Sequence, residues 1–341
     1  MEQSMKQYIQ QLIEGEHLST EDATNAMLTI MEGNATDAQI GAFLTAMKMK
    51  GEEIDELAAF VKVMRDKSLK INLNGAVALD MCGTGGDNSG TFNISTVASF
   101  VVAGAGATVA KHGNRSISSK CGSADLLQYL GINISTPPEL TTRCIVDTGI
   151  GFLFAPTYHP AMKFAATPRR ELGVKTMFNM MGPMTNPAGV KNQLVGVFNI
   201  DAARKIANVF SELGAQRVLV VHSEDGIDEI SLSGRTHIFE VTHGQPIQQY
   251  TVTPTDFGFP TVPLENLLGD TVETNAEICM NILQGKNGPY RDIVLLNAGF
   301  GLYAGEKATT PQEGIELAKE SIDSGNAMRK LKELVDTSNS K

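Results

Sequence analysis

Apolar residues recur at helical spacing through the first ~70 positions of the chain. Met5, Tyr8, Ile9, Leu12 and Ile13 form one stripe, and Ala23, Ala26, Met27, Ile30 and Met31 a second, closed by Gly33 as a C′ residue. Thr36 followed by Gln39 fits a capping box, with Ile40, Phe43, Leu44 and Met47 behind it. Leu57, Phe60, Val61 and Met64 supply a fourth apolar face after Gly51. Short helices with one-sided stripes need a partner: each other, the rest of the chain or another subunit.

The pattern changes near residue 75. AVALDM (76–81) is a short apolar run compatible with a buried strand, and it ends in CGTGGDNSGT. A helix is expected from Ser95 to Gly104, then a second short run, ATVA (107–110), ending in KHGNRSISSKCGSAD. Strand, glycine-rich loop, helix, strand and polar loop make an α/β signature. QLVGVF (193–198), a helix from Asp201 to Leu213, and RVLVVH (217–222) before SEDGIDE repeat it. The tail holds the apolar run DIVLLNAG (292–299) and a last helix, rich in Glu and Lys, from Pro311 onward. These elements predict an α/β protein: a small helical N-terminal domain over 1–72, rejoined by later helices at about 165–190, and a larger α/β domain over 73–341 with a mostly parallel sheet. Helical pattern returning at Thr167–Gly173 makes the helical domain discontinuous.

At 341 residues the chain suits one large domain or two, and 42% apolar content is ample for a core. The balance of 28 basic against 38 acidic residues, −10 in all, disfavours nucleic acid and anionic membranes as partners. Any phosphate must therefore be held locally, by backbone N–H groups, chosen cations or metal ions. Cysteines 82, 121, 144 and 279 form no CxxC pair; with no apolar leader, they point to a reducing cytoplasm. The longest apolar stretch, Val97 to Ala110, is too short for a bilayer span, which takes about 20 residues.

Three strand-end loops carry candidate chemistry. In the first, Gly83-Thr84-Gly85-Gly86-Asp87 runs on to Thr91 and Asn93-Ile94-Ser95-Thr96. Glycines let successive N–H groups approach an anion, and the N-terminus of the next helix faces the same space. Ser95 and Thr96 suit either a helix cap or a ligand, and the string taken alone fits a ligand-free tight turn equally well. It is neither a Walker A loop nor a GxGxxG motif. The second loop, Lys111-His112-Gly113-Asn114-Arg115-Ser116-Ile117-Ser118-Ser119-Lys120, gathers cations and hydroxyls suited to a polyanion. In the third, Glu224, Asp225, Asp228 and Glu229 offer hard oxygen ligands for Mg²⁺; alone it fits an exposed acidic turn. Together the three indicate Mg²⁺-assisted phosphate-ester or diphosphate chemistry. Arg169, in PRR (168–170), fits either a carboxylate clamp or a surface arginine. Asn179, Gly182, Pro183, Asn186 and Pro187 form a turn-rich stretch whose role spacing does not assign, and His222 reads as a structural histidine.

The strings DMCGTGGDNSGTFNIST (80–96), VAKHGNRSISSKCGSADLLQYLG (109–131), HPA (159–161), TPRRELG (167–173), FNMMGPMTNP (178–187) and HSEDGIDEIS (222–231) carry a family likeness. The chain resembles the anthranilate phosphoribosyltransferases, of the nucleoside phosphorylase-like class, over nearly its whole length. The resemblance implies transfer of a phosphoribosyl group from 5-phosphoribosyl 1-diphosphate to anthranilate, in tryptophan biosynthesis, with Mg²⁺. Gly83, Gly86, Asp87, Thr91, Asn93, Ile94, Ser95 and Thr96 would hold the donor. Lys111, His112, Gly113, Asn114, Arg115, Ser118, Ser119 and Ser123 would complete that pocket, with Lys111 and Asp87 closest to the chemistry. Gly83, His112, Asn114, His159 and Arg169 would meet anthranilate, and Ser95, Asp228 and Glu229 would be metal ligands. A homodimer through the helical domain and a cytoplasmic location are also implied. Two other readings remain: a related transferase or phosphorylase for another aromatic amine or nucleobase, and a nucleic-acid-binding paralogue.

Overall fold

In a computed structural model, residues 4–73, 75–87, 89–116 and 120–340 are described. Four N-terminal helices come first: α1 (Met5–Ile13), α2 (Thr20–Met31), α3 (Asp37–Lys50) and α4 (Ile54–Asp66). The capping box at Thr36 and Gln39 starts α3, and Gly33 takes the left-handed conformation just past α2. The stripes face inward: Tyr8, Met27, Ile30, Ile40, Phe43 and Phe60 are fully buried. Ile13, at the end of the first stripe, is 65% exposed instead, and Met49 of α3 is 83% exposed.

The α/β part begins with β1 (Ala78–Gly83), α5 (Ile94–Gly104), β2 (Thr108–Gly113), α6 (Ser123–Tyr129), α7 (Pro138–Arg143) and β3 (Ile150–Phe154). Helices α8 (Ala155–Tyr158), α9 (Lys163–Leu172) and α10 (Phe178–Met181) follow, then β4 (Asn192–Gly196), α11 (Ile200–Glu212), β5 (Arg217–Ser223), β6 (Thr236–Thr242) and β7 (Gln248–Val252). The chain closes with α12 (Val272–Leu283), α13 (Pro289–Ala304), α14 (Pro311–Asp323) and α15 (Asn326–Ser338). The strands and helices expected over 76–110 and 193–222 recur within two or three residues of their expected ends.

One seven-stranded sheet has the order β3-β2-β1-β4-β5-β6-β7. The first five strands are parallel, and β6 and β7 run antiparallel at one edge. On one face α5 is covered by α13, α14 and α15, so it is apolar on every side, with Val97, Phe100, Val101 and Val102 at zero exposure. On the other face α11 shares one core with the N-terminal helices, and Ala165, Met177, Met181 and Met184 enter it from α9, α10 and the turns beside them.

One expectation needs correction, and one run finds its element. DIVLLNAG (292–299) lies inside α13. A continuous apolar run marks burial without fixing its period, and α13 is buried between α5, α14 and the sheet. The helix expected from Pro311 is two, α14 and α15, parted at Gly325, which is left-handed.

Candidate active site

The strand order reverses direction between β1 and β4, and the carboxyl ends of both open on one crevice. The first loop leaves β1 there, with Gly85, Gly86 and Gly90 all in left-handed conformations. The third loop leaves β5 one strand away and folds back over the crevice. Its path is fixed by the buried Ile227 and Ile230, and by Asn297 of α13, whose Oδ1 receives the Ile230 N–H at 3.0 Å and whose Nδ2 donates to the Ile230 carbonyl at 2.8 Å. This anchoring sends Asp228 and Glu229 into the crevice. Asp228 lies so close to both strand ends that Gly83 and Gly196 have no room for a Cβ: one would meet Asp228 Oδ2 at 2.3 Å, the other its carbonyl at 1.5 Å.

The four acidic residues of the third loop divide. Glu224 is engaged by Arg235 and His237, and Asp225 accepts the Ser231 hydroxyl, so both serve the loop itself. Asp228 accepts the Gly85 N–H at 3.0 Å, and Glu229 the Ser95 N–H at 3.2 Å. Burial, with the nearby charge of Asp87, raises the Asp228 carboxyl to about 7. Burial, with the charge of Asp228, raises Glu229 to about 8. These carboxylates crowd one another with too little positive charge to offset them, the condition a divalent cation relieves. Among the described residues no three His, Cys, Asp or Glu side chains form a metal-binding group. The pair therefore fits an ion that takes its remaining ligands from water and a phosphate-bearing ligand, as Mg²⁺ does.

Lys111 lies within β2, not in the loop after it, and is 3% exposed. Its ammonium donates to the Met81 carbonyl and to Ser95 Oγ, the latter at 3.3 Å. Burial lowers its affinity for a proton, and Asp80 and Glu229 oppose that. Asp80, also fully buried, accepts the His112 N–H at 3.1 Å and the Asn186 amide at 2.8 Å, and burial raises it to about 6. Asn186 also donates to the Ala110 carbonyl at 2.8 Å, so the turn-rich stretch of 179–187 ties the later helices to β1 and β2.

His112 and His159 face each other with ring centroids 5.1 Å apart. Burial lowers them to about 3 and 4, so both are neutral near pH 7, and their buried Nε2 atoms have no hydrogen-bond partner among the described residues. Arg169, on α9, is partly buried over the Phe178 ring at 4.9 Å. No carboxylate among the described residues pairs with it. Arg115, in contrast, is held by Asp125 at 2.6 Å and by Gln128 at 2.7 Å, so its fork is already engaged. Asn114 is exposed, and its carbonyl receives the Ser123 hydroxyl at 3.2 Å. Asp87 accepts the Ser89 hydroxyl, and Ser89 also meets Thr91 at 3.1 Å. His222 bonds the Val197 carbonyl at 2.8 Å and is structural. Ser118 and Ser119 lie outside the described residues.

The sequence reading missed Asp80, Asn186, Asn275 and Asn297 as contributors. Lys175 is another: it donates to the Gly86 carbonyl at 2.5 Å and stands 4.3 Å from the Phe198 ring centre.

Residues 75–328 match the glycosyl transferase family a/b domain, and residues 6–68 the helical bundle domain of the same family. The chain is 50% identical over 331 residues to the anthranilate phosphoribosyltransferase of Moorella thermoacetica, covering 97% of each. The crystal structure of anthranilate phosphoribosyltransferase from Thermus thermophilus superposes with a TM-score of 0.93 at 40% identity, covering 98% of this chain and 99% of that one. The Saccharomyces cerevisiae enzyme in complex with PRPP and Mg gives a TM-score of 0.91 at 28% identity, covering 99% and 98%.

Proposed function

We propose that this chain, which belongs to the anthranilate phosphoribosyltransferase family, transfers the phosphoribosyl group of 5-phosphoribosyl 1-diphosphate to the amine of anthranilate. The products are N-(5-phosphoribosyl)anthranilate and diphosphate, a step of tryptophan biosynthesis. The observation that carries the reading at this site is the meeting of a glycine loop, a buried lysine and two crowded carboxylates where the sheet reverses direction.

Asp228 and Glu229, with the Ser95 hydroxyl, would hold Mg²⁺, whose charge when bound would neutralise the departing diphosphate. Lys111 adds a fixed positive charge beneath Ser95. The N–H groups of Gly86 and Asp87 would approach the same anion. Arg169, with a guanidinium that no carboxylate of the described residues occupies, receives the carboxylate of anthranilate, and Asn114 helps to orient the acceptor. His112 and His159, uncharged, line its path without repelling a neutral amine. The amine nitrogen bonds to C1 of the ribose as the bond from C1 to the diphosphate oxygen breaks. The surplus amine proton then passes to solvent. An aniline nitrogen is already neutral at pH 7, so no residue is assigned as a general base.

The same reading places the domain division at 72/73, with about 165–190 joined to the first domain. It places the protein in the cytoplasm as a homodimer, for which exposed Ile13 and Met49 supply apolar surface on the helical domain. Among the described residues no helix is long and apolar enough to cross a membrane. The test is the fluorescence of anthranilate mixed with the protein and phosphoribosyl diphosphate. We expect a decay that requires Mg²⁺; steady fluorescence at saturating substrates would overturn the reading. A panel in which another aromatic amine or a nucleobase reacts faster would move the acceptor.

A further inference from the structure

Helix α5 starts directly after Asn93, a residue type among the best helix caps. Yet the Asn93 side chain caps nothing. Its Nδ2 donates to the Cys121 carbonyl at 3.1 Å, and its Oδ1 receives the Cys121 thiol at 3.1 Å. Its backbone N–H is taken by Oδ1 of Asn275, 182 positions away on α12, at 3.1 Å. Asn275 is 2% exposed, and its Nδ2 donates to the Thr271 carbonyl at 2.8 Å and the Asp270 carbonyl at 3.4 Å.

The segment before α12 runs along the same loop. Phe92 donates its N–H to the Leu267 carbonyl at 3.2 Å, Gly269 donates to the Gly90 carbonyl at 2.9 Å, and Thr91 bridges Leu268. Tyr290 of α13 holds the Leu268 carbonyl at 2.9 Å and meets the Phe92 ring edge-on at 5.2 Å between centroids. Gly269 has no room for a side chain, since a Cβ would lie 2.8 Å from both Asn275 Oδ1 and Phe92 Cα. Asp270 pairs with Lys120, at the far end of the second loop. The segment from Leu267 to Asp270 is therefore a brace between the first two loops.

The physical consequence concerns the first turn of α5. Its Ile94 N–H goes to the Phe92 carbonyl at 2.7 Å and its Thr96 N–H to the Asn93 carbonyl at 3.1 Å, which leaves the Ser95 N–H as the donor an Asn cap would satisfy. With Asn93 held elsewhere, the Ser95 N–H goes to Glu229. We propose that Asn275, set by the Leu267–Asp270 brace, is a positioning residue of the donor site: by holding the Asn93 backbone it fixes the start of α5, while Cys121 keeps the Asn93 side chain off the helix, so that the Ser95 N–H stays with Glu229 and the Ser95 hydroxyl with Lys111. Asn275 acts through Asn93 and touches no substrate. The inference rests on the function proposed above.

Steady-state kinetics and amide exchange test it, on the full chain with Mg²⁺. Asn275→Ala should raise KM for phosphoribosyl diphosphate about tenfold, the cost of one buried hydrogen bond. KM for anthranilate should stay within about twofold, as expected when one ligand's site alone is disturbed. Gly269→Ala, which pushes on Asn275 from the other side, should shift the same constant in the same direction. Tyr290→Phe removes a single hydroxyl and leaves the fold intact; it should raise donor KM by about two- to threefold. In the free protein, amide exchange over 90–97 should quicken in Asn275→Ala while β4 and β5 keep their protection. The inference fails if donor KM is unmoved in Tyr290→Phe and in whichever other variant folds, or if both KM values rise together. A wild-type protein that transfers nothing would instead overturn the function, while exchange over 90–97 would still report on the brace.

Discussion

Glu56 in the helical domain and the Asp228–Glu229 pair in the crevice are all carboxylates enclosed by protein, and their surroundings differ. Glu56 is at zero exposure and receives Lys50 at 2.8 and 3.0 Å, the Leu18 N–H at 2.9 Å and the Glu53 N–H at 2.8 Å. Lys50 in turn reaches the Gly51 carbonyl and His17 Nδ1, each at 2.8 Å. In the crevice each carboxylate receives one N–H from another residue, and each stands next to further negative charge. A buried charge with its partners in place joins α3 to α4 and to the chain before α2. Buried charges short of partners waste stability unless a ligand completes them.

Four measurements put this contrast to the test. Glu56→Ala strands Lys50 without a counter-charge and should cost about 3–5 kcal/mol of stability, seen as a large fall in Tm. Its kinetic constants, measured where it is folded, should match the wild type. Asp228→Asn with Glu229→Gln should behave in reverse. We expect kcat to fall by at least about a hundredfold, roughly 2.7 kcal/mol, with an altered Mg²⁺ requirement. Metal-free Tm near pH 8 should be no lower than that of the wild type. An unchanged metal requirement would remove both residues from the metal site. Arg169→Ala should raise KM for anthranilate about tenfold, the mark of lost acceptor binding; unaltered acceptor kinetics would show that the guanidinium serves packing on Phe178.

The smallest effect is on stability against pH. The native carboxyls at 228 and 229 are raised to about 7 and 8, whereas unfolded Asp and Glu release their protons near pH 4. Between those limits the native state holds more protons than the unfolded chain, so stability falls as pH rises. Their contribution is complete below about pH 4 and is lost as pH passes through the native values. Metal-free Tm should therefore drop by a few degrees more between about pH 5 and 8 in the wild type than in the double variant. Equal slopes would mean that the pair is not crowded.

Much of this arrangement is legible in the chain. The runs at 76–81, 107–110, 193–198 and 217–222 mark β1, β2, β4 and β5 because parallel strands covered on both faces are apolar throughout. The hairpin of β6 and β7 escapes notice: at the sheet edge β7 carries exposed Gln248, Gln249 and Thr251, so no apolar run announces it. DIVLLNAG alone leaves strand and helix open, because a helix buried on all sides has no polar stripe to set its period. In the site, the glycines and acidic residues are legible as local strings. Asp80, Asn186, Asn275 and Asn297 are not, since their partners lie 32 to 182 positions away and no spacing encodes the pairing. Nor does the string SEDGIDE reveal that Glu224 and Asp225 are taken by Arg235, His237 and Ser231, leaving Asp228 and Glu229 to the crevice.

The most direct test is a crystal structure of the protein soaked with phosphoribosyl diphosphate and Mg²⁺. The account predicts the diphosphate against the Gly83–Asp87 loop and Ser95, with the metal bound to it and to Asp228 or Glu229. Donor density elsewhere, with those carboxylates still turned only to the Gly85 and Ser95 N–H groups, would contradict it.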